Sequence, residues 1–200
     1  ALPILEIPQR MLPIGKKKTH VIGINPSQIT TEDLAVSLPP AANYVPTDGY
    51  SKVAAVERHH NTGKIGVAVA KGYGIRNGAV ASSVSHDSHN IIVIGDNDRD
   101  MALAVDEIIR TQGGYTVVEN GEVFETLPLP IMGLMSDAGF ESVNETLGRM
   151  IKKAHEMGVP ADIEPFITLS FLALPVIPTL RITPRGLCLL TAKGPEILQE

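Results

Sequence analysis

The chain has 200 residues, 44% hydrophobic and 20% charged, with a formal net charge of −5 at pH 7. This composition is typical of a globular domain with a sizeable core and excludes a disordered chain. One cysteine excludes a disulfide framework, and the acidic balance with 4% aromatic residues argues against a nucleic-acid partner. No apolar run reaches the roughly 20 residues of a membrane helix, so we expect no membrane partner.

The first 46 residues are interrupted by seven prolines. Prolines exclude a long helix and favour extended segments and edge strands. We therefore predict a Pro-rich arm at 1–46, with short strands at 20–24 and 34–38, that belongs with a neighbouring domain. The chain begins with Ala1, and no charged segment precedes an apolar stretch. This start does not resemble a signal peptide and suggests a piece of a longer protein.

From residue 50 onwards, β-branched apolar runs follow one another closely. Their composition predicts strands, and the last is apolar throughout, as expected of a strand buried on both faces. The predicted strands cover 52–58, 65–70, 79–84 and 91–95.

The period then becomes helical. Apolar residues at i, i+4, i+7 and i+8 predict a helix over about 98–112, ended by a Gly-Gly pair. Asn120-Gly121 separates two strand-like runs and predicts a β-hairpin. A second helix is predicted over about 142–157, with Ser142 and Glu145 as a capping box.

The final apolar stretch, 166–182, is predicted to end the order of elements as a strand. The sequence thus predicts an α+β fold: a mixed β-sheet with a β-hairpin and two main helices, preceded by the Pro-rich arm.

The densest polar cluster, at 82–90, lies between two predicted strands. His86, Asp87 and His89 are the titratable groups within it. Imidazole and carboxylate groups at a strand end can serve acid–base chemistry or bind a metal ion. The alternative is a turn held by hydrogen bonds between side chains and backbone.

A second cluster, Glu57-Arg58-His59-His60, follows an earlier predicted strand. Arg58 could bind a carboxylate with two hydrogen bonds. The alternative is a hairpin turn in which residues 61–63 reverse the chain.

Several long blocks of sequence occur together and in order between about residue 20 and about residue 187. They resemble the C-terminal domain of adenine deaminase, an enzyme of the amidohydrolase superfamily. The blocks include VERHH at 56–60, ASSVSHDSHNIIVIG at 81–95, LPLPIMGLMS at 127–136 and PFITLSFLALPVIP at 165–178. The tail at 188–200 departs from the family pattern, which leaves 47–187 as the domain proper.

The resemblance implies hydrolytic deamination of adenine to hypoxanthine and ammonia, in purine salvage and in the cytoplasm. It also implies manganese or iron, bound by a (β/α)₈ barrel with a His-x-His pair. That pair is missing from this sequence, and 200 residues could not hold such a barrel as well as this domain. The chain is therefore expected to bind no metal itself and to be inactive alone.

The resemblance also implies that the polar loop faces the barrel and completes the adenine site. The expected partners are adenine, the barrel of the same enzyme and further copies of the chain in a homo-oligomer. The expected catalytic residues are His86, Asp87 and His89, and the expected substrate-binding residues are Ser85, Ser88, Asn90, Glu57, Arg58 and His59.

Two other hypotheses remain open on the sequence. The chain could be a free-standing binding module that kept the fold without the barrel. It could also be a self-contained metal hydrolase centred on His86 and His89, which would need His59 or His60 as an additional ligand.

Overall fold

The computed structural model describes residues 19–37 and 49–198. Most prolines of the predicted arm lie outside these residues. The described helices are α1 (Asp98–Arg110), α2 (Phe140–Glu156) and α3 (Pro165–Phe171). The described strands are β1 (Thr19–Ile24), β2 (Thr31–Val36), β3 (Tyr50–Val56), β4 (Ile65–Lys71), β5 (Gly78–Ser82), β6 (Ile91–Gly95), β7 (Gly114–Glu119), β8 (Glu122–Pro128), β9 (Leu180–Thr183), β10 (Gly186–Thr191) and β11 (Gly194–Ile197).

Eight strands form one mixed sheet in the order β2-β1-β4-β3-β6-β5-β7-β8. The β1–β4 pair is parallel, and the other neighbours are antiparallel. The remaining strands, β9 to β11, make a small antiparallel sheet. The α+β fold with a mixed sheet is thus confirmed.

Successive residues of the central strands point to opposite faces of the large sheet, and both sets are apolar. Both faces are therefore covered by other elements. Ala54, Val93 and their neighbours pack against Met101 and Ile108 of α1. The opposite set, with Val53, packs against α2, α3 and the small sheet. The result is three layers, with the sheet in the middle.

Helix α1 and the hairpin formed as predicted. The side chain of Asn97 accepts a hydrogen bond of 2.9 Å from the backbone N–H of Asp100 and so caps α1. Asn120 and Gly121 join β7 to β8 with φ values of +52° and +83°. These positive values are those that a tight two-residue turn requires.

Two predictions about helices were wrong. Helix α2 begins at Phe140 after Gly139, with no side-chain hydrogen bond at its cap, so Ser142 and Glu145 lie inside the helix and form no capping box. The stretch 166–182 is not one strand: it contains most of α3, an irregular segment at 172–179 and the start of β9. The side chain of Glu164 caps this helix and Pro165 occupies its first turn, where the missing N–H costs nothing.

The ends of the described chain join the same domain. Strands β1 and β2 lie within the predicted arm yet pair with the large sheet, and the second lies at 31–36 instead of 34–38. The hydroxyl of Thr31 donates to the carbonyl of Leu180 (2.8 Å) and accepts from the N–H of the same residue (3.0 Å). Assignment of residues 1–46 to a neighbouring domain stays a prediction.

Among the helices of the described ranges, none is long and apolar enough to cross a membrane.

Candidate functional site

The candidate site is the loop 83–90, which joins the antiparallel neighbours β5 and β6 at one end of the sheet. Ser83 fixes the start of the loop. Its hydroxyl donates to the carbonyl of Gly133 (2.6 Å) and accepts from the N–H of Gly114 (2.9 Å). The loop therefore leaves the sheet in contact with a second loop, at 131–135.

Arg58, at the end of β3, holds these two loops together. Its guanidinium donates to the carbonyl of His89 (2.9 Å) and to the carbonyl of Met132 (2.8 Å). Its backbone N–H donates to the side-chain oxygen of Asn90 (3.1 Å). Burial lowers the pKa of Arg58 from 12.5, because the charged form loses hydration. Arg58 and Asn90 therefore position the loop.

The two flanking histidines also bond to backbone. The Nδ1 atom of His89 donates to the carbonyl of Val84 (2.8 Å), and His89 itself has a φ of +51°. The Nε2 atom of His59 donates to the carbonyl of Ser88 (2.8 Å). A carbonyl can only accept, so each contact fixes a protonated ring nitrogen.

His86 and Asp87 form the accessible pair of the loop. The Nδ1 atom of His86 contacts Oδ1 of Asp87, and the two side chains are 45% and 69% exposed. The imidazole stacks on the ring of Phe171 in α3, with centroids 5.3 Å apart and planes at 17°. Its backbone N–H donates to the hydroxyl of Ser170 (3.1 Å). The pair is thus exposed at the surface, and α3 supports the ring and the backbone of His86.

The serines of the loop differ in exposure. Ser85 is completely buried, and its hydroxyl has no hydrogen-bond partner in the part of the chain that the structure describes. Ser88 is exposed, and its hydroxyl is 3.5 Å from the carbonyl of Ser85. Their assignment to substrate binding stays a prediction.

Glu57 organises the hairpin turn between β3 and β4. Its carboxylate accepts hydrogen bonds from the N–H groups of His59 (2.6 Å), His60 (2.8 Å) and Thr62 (3.0 Å), and from the Thr62 hydroxyl (3.0 Å). These bonds, that of the Thr62 N–H first, lower the pKa of Glu57 from 4.5 to about 2. The hairpin-turn interpretation is confirmed, and a direct contact of Glu57 with substrate stays a prediction.

A family model described as the adenine deaminase C-terminal domain matches residues 28–193. The chain belongs to this family. It is 50% identical over 187 residues to the adenine deaminase of Desulfitobacterium hafniense, covering 93% of this chain and 33% of that protein. It is 51% identical over 179 residues to that of Nitratidesulfovibrio vulgaris strain DP4, covering 88% and 31%. It is 43% identical over 175 residues to that of Bacillus subtilis, covering 86% and 30%.

The chain therefore spans about a third of the length of the curated relatives that it matches. The family assignment predicted from the sequence blocks is confirmed.

An exposed apolar surface adjoins the candidate loop in this family member, and the sequence analysis missed it. Met132 is 75% exposed, and Ile131 and Met135 are also exposed. Arg58 and Ser83 tie the segment 131–135 to the candidate loop. The available signal was the segment 131–135, in which four of five residues are large and apolar, between two strand-breaking prolines and a polar stretch. We name Ile131, Met132 and Met135 the methionine surface.

The manganese or iron that the resemblance implies does not fit the described residues of this chain. Within 19–37 and 49–198, no three His, Cys, Asp or Glu side chains lie close enough together to hold a metal ion. A self-contained metal hydrolase at His86 and His89 has no support in this arrangement.

Proposed function

We propose that the chain is the C-terminal domain of an adenine deaminase and that the loop 83–90 faces the reacting site. One observation carries the proposal. Arg58, His59, His89 and Asn90 are bonded to the loop's own backbone or that of its neighbours, whereas His86 and Asp87 are presented outwards. These hydrogen bonds hold the loop backbone in place and leave one imidazole–carboxylate pair exposed at the surface.

That pair suits the proton transfers of the reaction. Hydrolytic deamination forms a C–O bond from water at the ring carbon and breaks the C–N bond to the amino group. The protons of the attacking water must reach the ring and the departing ammonia. Imidazole can both accept and donate a proton, and a neighbouring carboxylate can orient its ring. His86 therefore moves the proton, and Asp87 orients its ring.

The remaining candidate residues have supporting roles. Arg58, His59 and Asn90 hold the loop in place, and Glu57 fixes the adjoining turn. Ser85, Ser88 and His89 are residues of the loop itself, with Ser85 buried and Ser88 exposed. The methionine surface meets the part of the polypeptide that this chain lacks relative to its relatives. Manganese or iron binds there, and the enzyme works in purine salvage in the cytoplasm.

The first test uses the full-length polypeptide that contains these residues. H86A is expected to lower kcat/KM for adenine by about 10²-fold or more, as the loss of a general acid–base group does. D87N is expected to have a smaller effect. H60A is the matched control, because this exposed histidine lies in the neighbouring β3–β4 turn, where its ring pairs edge-on with that of His59. Equal activities of H86A and H60A would overturn the role of His86.

The second test uses the 200-residue chain alone. With adenine and excess manganese, we expect no loss of adenine absorbance. Metal-dependent turnover by this chain would contradict the proposal, because the loop would then belong to a complete site within the chain.

A further inference from the structure

The ring of Phe171, at the end of α3, lies against the imidazole of His86. The two ring centroids are 5.3 Å apart and the ring planes differ by 17°, so the rings are stacked face to face. The Asp87 carboxylate, which contacts Nδ1 of the same imidazole, is 69% exposed. Exposed side chains change rotamer readily. The aromatic face therefore fixes the plane of the imidazole more firmly than the carboxylate does.

The residue before Phe171 holds the backbone of His86. The His86 N–H donates to both the hydroxyl (3.1 Å) and the carbonyl (3.2 Å) of Ser170. Ser170 is buried, so water competes little for these hydrogen bonds. Two consecutive residues of α3 thus fix the backbone and the ring of His86 together.

Helix α3 is itself anchored at both ends and through its buried face. At its start, the Glu164 carboxylate accepts a backbone N–H of the first turn. At its end, the buried Arg181 guanidinium donates to the carbonyl of Phe171 (3.3 Å). Between these ends, Phe166 and Leu169 belong to the hydrophobic core. The position of Phe171 is therefore set by the interior of the domain and not by the exposed loop.

We infer that Phe171 is a positioning residue for His86 in the reaction proposed above, on which this inference rests. Its ring holds the imidazole in the plane that proton transfer requires, and it acts through that imidazole without contacting substrate. A general acid or base must lie within hydrogen-bond reach of the atom it serves, so a rotated imidazole slows the chemical step. F171L keeps an apolar contact but offers no flat face for stacking.

The kinetic test is a double-mutant cycle in the full-length polypeptide. F171L is expected to lower kcat for adenine by about three- to tenfold, the range expected of an aromatic pair, and to leave KM unchanged. Because Phe171 acts through His86, F171L should cause no further loss in the H86A background. A residue that only supports the fold would lower the activity of both backgrounds by the same factor.

Three further variants complete the kinetic test. F171Y keeps the ring and should retain the wild-type kcat. F124L is the matched control, because Phe124 is exposed in β8 near the β7–β8 hairpin, at the end of the sheet opposite the loop. S170A keeps the inference testable if F171L fails to fold. It removes one of two acceptors of the His86 N–H, so we expect a smaller loss of kcat, again absent in the H86A background.

The stack itself is tested by NMR of the 200-residue chain, without turnover. Protons over an aromatic face resonate upfield, so the His86 ring signals, assigned with H86A, should move downfield in F171L and not in F124L. Unmoved signals or unchanged kcat in F171L, or equal losses in both backgrounds, would overturn this inference alone. Wild-type activity of H86A would overturn the proposed function, and this inference with it.

Discussion

Charged side chains near the candidate loop act mainly on backbone. Glu57 and Arg58 are consecutive, yet Glu57 serves the β3–β4 turn and Arg58 serves two loops on the other side. Each satisfies several backbone groups that would otherwise need water. The consequence at the scale of residues is a fixed frame of hydrogen bonds around the exposed pair, His86 and Asp87.

The low pKa of Glu57 gives a pH-dependent prediction. A carboxyl whose pKa falls from 4.5 to about 2 on folding stabilises the fold fully above its unfolded value, and the stabilisation is lost as the pH falls towards about 2. E57Q should therefore be less stable than wild type near neutral pH, and the difference should shrink between about 4.5 and 2. Urea unfolding at several pH values measures it.

E122Q provides the control for that series, because Glu122 is an exposed residue of β8. Its stability relative to wild type should change little over the same pH interval. A constant difference between E57Q and wild type across the interval would contradict the assigned role of the Glu57 carboxylate.

Much of the site's composition could be predicted from sequence, but its orientation could not. The cluster at 82–90 was visible as a dense polar run between apolar strands. The contact of Arg58 with the carbonyl of Met132 joins positions 74 residues apart, and no local pattern indicates such a bond. The distinction between inward and outward groups therefore required the structure.

At the scale of elements, a glycine decides how closely the two sheets approach. A Cβ atom at residue 66 in β4 would lie 1.9 Å from the carbonyl oxygen of Thr183 and 2.8 Å from the N–H nitrogen of Gly186. Both are backbone atoms of the small sheet, so a change of side-chain rotamer could not relieve the clash. The two sheets therefore meet backbone against backbone.

G66A is expected to destabilise the chain by about 1–3 kcal/mol, the usual cost of overpacking. The matched control is G148A in α2, where a Cβ atom meets nothing within 4 Å. That substitution should stabilise by about 0.5–1 kcal/mol, because alanine loses less backbone entropy in a helix. Denaturant midpoints of the two variants should move in opposite directions, and a shift in the same direction would refute the account.

The elements that sequence reasoning found are those with strong local signals. The helical period fixed α1, and Asn120-Gly121 fixed the hairpin. The predicted start of α2 was too late in the sequence, because Ser142 and Glu145 have the spacing of a capping box although the helix already begins at Phe140. Helix α3 was missed, because its short apolar run resembles a buried strand and prolines follow it.

At the scale of the whole molecule, the methionine surface is a group of large apolar side chains that are exposed to solvent. It lies beside the loop that carries His86 and Asp87, and the relatives have about twice as much additional chain as this domain contains. Apolar surface of this kind marks a contact with another protein part. Without that part, two copies of the chain can bury the same apolar surface by associating with each other.

We therefore predict that the 200-residue chain self-associates through the methionine surface. The double variant M132K/M135K should shift the chain towards monomer at high concentration, as measured by sedimentation velocity and light scattering. I29K is the control, because Ile29 is exposed in the β1–β2 turn, and β1 and β2 lie at the opposite edge of the large sheet from β8. A monomeric wild type at high concentration would refute the prediction.

The hydrogen bonds between Thr31 and Leu180 have a consequence for biosynthesis. These residues are 149 positions apart, so the contact cannot form until nearly the whole domain has been synthesised. Contacts this distant in sequence slow folding, because the chain must first lose the entropy of a large loop. The β1–β2 hairpin thus emerges from the ribosome long before β9, which carries Leu180. The contact between β2 and β9 therefore forms late, after most of the domain has been synthesised.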